Sequence, residues 1–220
     1  MTPLILGNHT RGHVLTSKSS LAFNALEQFT GEHLVSLAIN GSIMHAAFEL
    51  CPDEHERRLQ EGVGAITSTA LLCGLWLLPS GVPVAPEALP DVKAQRLQDA
   101  PYAVKKTSAG FERTYSPPGV LRSVMFSGRK LERTVDRALR FTPIVQRFAV
   151  TEQHDEVLPS RVECVAREWG VGIIALHQEA PPQVLLPAMP AEVGVPSVYR
   201  WWVAELAYKR YLYDKTQLVS

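Results

Sequence analysis

Apolar and polar positions along this chain alternate between helical and strand spacing several times. From Ser19 to Phe29, Leu21, Ala22, Leu26 and Phe29 recur at helical intervals. Two apolar runs, HLVSLAI and SIMHAAFEL, then flank Asn40-Gly41. That pattern predicts a β-hairpin, because both central residues of such a turn need positive φ. A single helix through Ala46 to Leu50 is the competing reading. Pro52, with Asp53 and Glu54 behind it, marks a helix start: proline suits the first turn and acids suit its positive end. The segment is polar first and apolar later, so the helix should enter the core before Pro79-Ser80-Gly81 stops it.

Three strands are expected next. Val82 to Ala85 is short and proline-marked, an edge strand at best. Asp91 to Leu97 (DVKAQRL) places Val92, Ala94 and Leu97 inward and Lys93 and Arg96 outward. Gln98 to Pro101 turns the chain, and Tyr102 to Lys105 returns as the hairpin partner. Residues 107–119, rich in Gly, Pro and Ser, read as a loop. Arg129 to Val145 is amphipathic: Leu131, Val135, Ala138, Leu139 and Thr142 form one face, and Arg129, Lys130, Arg133, Arg137 and Arg140 surround the other. A short strand (Arg147 to Thr151) follows, then a second amphipathic helix (Ser160 to Trp169) capped by Gly170. Val171 to Leu176 has the composition of a strand buried on both faces. A proline-rich connector from Ala180 to Pro196 leads to a last helix from Ser197 to Leu212.

This order predicts an α/β fold with a mixed central sheet flanked by helices. Three units are expected. Residues 1–51 form an N-terminal helix and hairpin extension, 52–179 the α/β core, and 180–220 the connector and C-terminal helix. The last helix carries Tyr199, Trp202, Tyr208 and Tyr211 in one stripe, with Trp201, Tyr213, Lys209 and Arg210 beside it. Such a stripe belongs first to the core. Its second reading is a homodimer or protein-partner surface, and its third is base stacking.

Composition narrows the classes. The 220 residues carry 22 basic and 22 acidic side chains and are 46% hydrophobic, which excludes a disordered chain and a general polycation. Three cysteines (Cys51, Cys73, Cys164) lie in apolar surroundings and form no C-x-x-C pair, so core packing in a reducing, cytoplasmic setting is expected. The start of the chain lacks a signal-peptide pattern. Residues 62–86 hold no charge, but Pro79, Gly81, Pro83 and Pro86 interrupt them, so a buried helix and strand are expected rather than a membrane span.

The neutrality is a sum of unlike parts. Residues 31–90 hold seven acids and two bases, a net of −5; residues 92–150 hold twelve bases and four acids, a net of +8. The basic stretch is a candidate phosphate-binding face. The alternative is that its arginines pair with the acidic segments. Seven histidines show no H-x-x-x-H or H-E-x-x-H pattern on a helix; His9 and His13 are four apart but sit among glycines. There is no G-x-S-x-G elbow, Walker loop or dinucleotide fingerprint.

From Leu89 to Leu176 the chain resembles the PD-(D/E)XK nuclease superfamily, with its restriction-endonuclease-like fold. Pro90-Asp91 stands where that family opens a strand with Pro-Asp, and YAVKKTS stands where its hairpin partner carries an acid, one residue and a lysine. An Arg-rich helix, RFAVT and EWGVGIIAL follow in the family's order. The resemblance implies Asp91 as a metal-binding carboxylate and Lys106 or Lys105 as the catalytic lysine, with magnesium as cofactor if the protein is active. Magnesium would bind the scissile phosphate and lower the pKa of a water, and the lysine would face the developing anion. The middle acid is missing: Val104 or Ala103 occupies its place, and Glu61 or Glu112 is the substitute carboxylate. The reading that follows is a nucleic-acid-binding protein, for DNA in preference to RNA, with its catalysis degenerate, gripping phosphates through Arg129, Lys130, Arg133, Arg137 and Arg140. The alternatives are an active metal-dependent phosphodiesterase with a displaced acid, and a protein-interaction scaffold without a nucleic-acid role.

Overall fold

The computed structural model describes residues 26–27, 30–39, 41–152, 158–177, 180–190 and 197–217. Most of the helix expected at Ser19 to Phe29 lies outside them, as do Asn40, His9, His13 and His154.

A mixed six-stranded sheet organises the chain. β1 (His33–Ile39) and β2 (Ser42–Leu50) form the expected hairpin, with Ile39 opposite Ser42 and Gly41 at φ +73°. They are not an appendage. β2 pairs antiparallel with β5 (Gly119–Ser127), and β5 pairs parallel with β6 (Gln146–Thr151). β6 pairs parallel with β7 (Val171–Ala175), and β8 (Gln183–Leu186) closes the edge antiparallel to β7. The order is β1-β2-β5-β6-β7-β8.

Two crossover helices, α4 (Leu131–Arg140) and α5 (Ser160–Glu168), join the parallel strands. They lie on one face of the sheet with the C-terminal helix α6 (Val198–Gln217). Leu131, Val135 and Ala138 of α4, Val162 and Ala166 of α5, and Val203 and Ala207 of α6 pack there on Phe48, Val124, Phe126, Ala149 and Ile173. The opposite face buries Leu34, Ala47, Met125, Val150 and Ile174 with Leu26.

A helical insertion separates β2 from β5. It holds α1 (Pro52–Gln60), α2 (Thr69–Trp76), α3 (Asp91–Gln98) and a small sheet of β3 (Val104–Thr107) and β4 (Gly110–Arg113). Its own core gathers Leu72, Leu75, Leu78, Leu97, Ala103 and Phe111. Val198, Trp201 and Trp202 of α6 pack against this second core, so α6 ties it to the sheet.

Several expectations are corrected here. The helix from Pro52 is two helices. Gly62, at φ +65°, ends the first beyond Glu61, and Ser68 caps the second by accepting the Leu71 N–H at 3.3 Å. Asp91 to Leu97 is helix α3, not a strand. Leu97 is buried and Ala94, three residues before it, packs half-buried against the same core, whereas Val92 is 70% exposed. The Pro90 carbonyl accepts the first turn's amides from Lys93 and Ala94, and Asp91 suits the helix's positive end. The Tyr102 to Lys105 segment therefore has no partner there. β3 pairs instead with β4, inside the stretch read as a loop. β5, the centre of the sheet, falls in a stretch that strand spacing did not mark. β8 lies within the connector. Cys164 is exposed on α5, and Cys51 and Cys73 are only half-buried, so the cysteines are not core residues. Among the described residues, no helix is long and apolar enough to cross a membrane.

Candidate functional site

Five cations of the basic stretch gather on one face, along α4 and the two residues before it. α4 turns its apolar side, Leu131, Thr134, Val135 and Ala138, to the sheet, which forces its cations outward. Arg129, Lys130, Arg133, Arg137 and Arg140 line an open groove of about 590 Å³, with Asp136 as the one carboxylate. Arg137 is anchored: its guanidinium donates to the Ser127 carbonyl at 2.6 Å and to Thr134 Oγ1 at 3.4 Å. Arg129, Lys130, Arg133 and Arg140 are exposed, and among the described residues none of them forms an ion pair. The pairing of these arginines with the acidic segments, open from sequence, is not seen among the described residues.

Other bases of the same stretch are absorbed structurally. Arg147 is buried and donates to the carbonyls of Phe141 and Trp169. Arg122 pairs with Glu49, and Arg113 stacks on Trp201 at 5.1 Å.

The residues of the nuclease resemblance sit on separate elements. Asp91 is exposed at the start of α3. Lys105 and Lys106 are exposed on β3, where Lys105 lies opposite Glu112. Glu61 follows α1 and binds Arg57 at 2.5 Å. Among the described residues, no group of three or more His, Cys, Asp or Glu side chains is placed to hold a metal ion.

Two polar constellations were not foreseen. The first spans three adjacent strands on the face away from α4. Ser36 Oγ lies 3.0 Å from His45 Nδ1, and His45 Nε2 lies 3.2 Å from Ser127 Oγ. Burial lowers the His45 pKa to about 4, so the ring is neutral at pH 7. Half of this was within reach of the sequence: the Asn40-Gly41 turn already sets Ser36 opposite His45. The third member comes from β5, which periodicity did not reveal.

The second constellation centres on Arg58, which has no exposed surface. Its Nε donates to Glu54 at 2.6 Å, and Nη1 and Nη2 donate to the two oxygens of Glu205 at 3.0 and 2.9 Å. The Ser116 and Gly64 carbonyls take its remaining protons. Glu205 also accepts from the Ile66 amide and the Tyr115 hydroxyl. Burial works against the Arg58 charge, but Glu205 and Glu54 outweigh it and raise its pKa. Burial and Glu205 raise that of Tyr115. Every donor of the guanidinium is used, so this centre binds elements together and offers nothing to a ligand.

Compared with protein-family models, curated proteins and solved structures, the chain matches none of them.

The aromatic stripe of α6 turns mostly inward. Tyr208 is fully buried and bonded to His55 at 2.9 Å. Tyr199, Trp202 and Tyr211 are partly buried against the main core, while Tyr213 is 55% exposed.

Proposed function

We propose that this chain binds the phosphate backbone of a nucleic acid, DNA in preference to RNA, through the outer face of α4. The observation that carries the reading is the set of four exposed cations, Arg129, Lys130, Arg133 and Arg140, that have no ion-pair partner among the described residues. A folded domain gains nothing from holding four like charges side by side. A polyanion would relieve their repulsion and release its own counterions. Arginine suits this task, because its planar fork meets two phosphate oxygens at once. The ten residues of α4 span about 15 Å, long enough to face several backbone charges of a duplex.

The nuclease-like reading of the fold draws support from the succession of the β1–β2 hairpin, β5, α4, β6, α5 and β7. In this reading Asp91, Lys105, Lys106 and Glu61 do not form a working centre, being carried by three separate parts of the insertion. The protein is then a binder on a nuclease-like scaffold.

The test is titration of labelled duplex and single-stranded DNA between low and moderate salt. Binding should weaken linearly on a log–log plot. Changing Arg129, Lys130, Arg133 and Arg140 to Ala should lower the slope by about 3 to 4. Absence of salt-sensitive binding to duplex or single strand would end this reading.

A further inference from the structure

Ser127 is an exposed residue at the end of β5, whereas the histidine beside it is only 7% exposed. His45 Nε2 stands 3.2 Å from that hydroxyl, within reach for proton transfer. The other ring nitrogen is fixed by Ser36 Oγ at 3.0 Å. With the ring proton on Nδ1 and donated to Ser36, Nε2 is a bare acceptor aimed at Ser127. A nucleophile, a base and a group that orients the base are thus in line, and such sets are known by geometry rather than chain order.

The place in the fold suits chemistry. Ser127 closes a strand that runs parallel to β6, and in open α/β sheets ligands settle at the carboxyl ends of such strands. The turn behind it is fixed. Arg137 donates to the Ser127 carbonyl, and a Cβ on Gly128 would lie 2.3 Å from Arg137 Nη2 and 2.6 Å from Thr134 Oγ1. Arg129 and Lys130 follow at once, exposed, so an anionic ligand is favoured there.

We propose that Ser127 is a nucleophile, with His45 as its base and Ser36 as a positioning residue, acting on a carboxylic ester that bears a negative charge. Ser127 Oγ attacks the carbonyl carbon while its proton passes to His45 Nε2. The tetrahedral adduct collapses, the bond to the alcohol oxygen breaks, and His45 returns the proton to that alcohol. Water then gives a proton to Nε2, attacks the acyl carbon and breaks the bond to Ser127 Oγ. The acid departs, and the proton on Nε2 passes back to Ser127 Oγ.

The experiment is reaction of the full chain with a fluorophosphonate, read by intact mass and peptide mapping. Ser127 should carry the phosphonyl group, with loss of fluoride, and Ser127→Ala should abolish it. His45→Gln should slow labelling roughly 100-fold, the scale of general-base catalysis, and Ser36→Ala should slow it less. Labelling of His45→Gln at the wild-type rate, or no label on Ser127, overturns the proposal. Should His45→Gln fail to fold, the wild-type pH profile decides. Labelling should hold steady from about pH 8 to 5 and fall near 4, because the buried ring stays neutral in that range. A rate rising in proportion to hydroxide overturns it instead. The mono-p-nitrophenyl ester of succinate should turn over faster than p-nitrophenyl acetate, and Ser127→Ala should lose both. No turnover of either overturns the activity, and equal turnover overturns the anionic preference. DNA titration of the same variants keeps this separate from the phosphate-backbone reading, since Ser127→Ala should bind DNA as the wild type does.

Discussion

Arg58 and Glu205, 147 residues apart in the chain, face each other as a two-pronged ion pair without exposed surface. The pair joins α1 to α6. Through Ile66 and Ser116 it also fixes the loop between α1 and α2 and the loop that leaves the insertion for β5. The rings of Tyr208 and Tyr115 lie 5.4 and 5.7 Å from the guanidinium and close it off from water.

Breaking one side of this pair should be costly. Glu205→Ala leaves Arg58 buried with Glu54 alone, and about 3 to 5 kcal/mol should be lost in urea unfolding. Arg58→Met with Glu205→Leu removes both charges and should cost less than the two single changes summed. A strictly additive cycle would show that the pair is not coupled.

Stability should fall on acidification, in two stages. His45 has a folded pKa of about 4 against an ordinary 6.5, so the unfolded chain takes up the proton first. Its contribution is complete above pH 6.5 and shrinks as the pH drops to about 4, by at most about 3 kcal/mol. Glu54 acts at lower pH. Burial raises its pKa, but hydrogen bonds from Arg57 and Arg58 outweigh that and hold it below the usual 4.5. Its contribution is present above that value and is lost as pH falls through the folded pKa. Replacing His45 by Gln should flatten the first stage of a denaturant-midpoint profile and leave the second.

Gly172 sits in the middle of β7, where a Cβ would lie 2.5 Å from the Phe148 ring and 2.7 Å from the Ala188 amide. The ring can shift; the backbone cannot. Gly172→Ala should cost about 1 to 3 kcal/mol in thermal or urea unfolding and should loosen β8, which ends two residues before Ala188.

The exposed cations of α4 should be silent in the fold. Arg133→Ala should change stability by less than about 0.5 kcal/mol, as surface changes away from structural contacts do. The same variant should lower the salt slope of DNA binding by about one. A large stability loss would mean that Arg133 has a structural task.

Periodicity was sufficient wherever one face alone is buried. α4 and α5 carry apolar residues three and four apart, and the β1–β2 hairpin is written in its turn residues. It misled at Asp91 to Leu97. Ala94 and Leu97 are spaced for a helix, but Val92 completes an apparent alternation while lying exposed. It was silent at β5. A bulge between Ala47 and Phe48 shifts its register, and beyond the bulge both faces are covered, so no alternation survives.

The candidate sites divide in the same way. The amphipathic pattern of residues 129–140 determined by itself that a row of cations faces outward, because the apolar side must face the sheet. The Asn40-Gly41 turn determined that Ser36 and His45 are cross-strand neighbours. Only the tertiary structure decided that Arg129, Lys130, Arg133 and Arg140 find no ion-pair partner among the described residues. Only it brought Ser127 to His45 and Glu205 to Arg58. Those outcomes depend on which strands and helices become neighbours, and that choice is made by the burial of whole faces, to which a single polar residue contributes little.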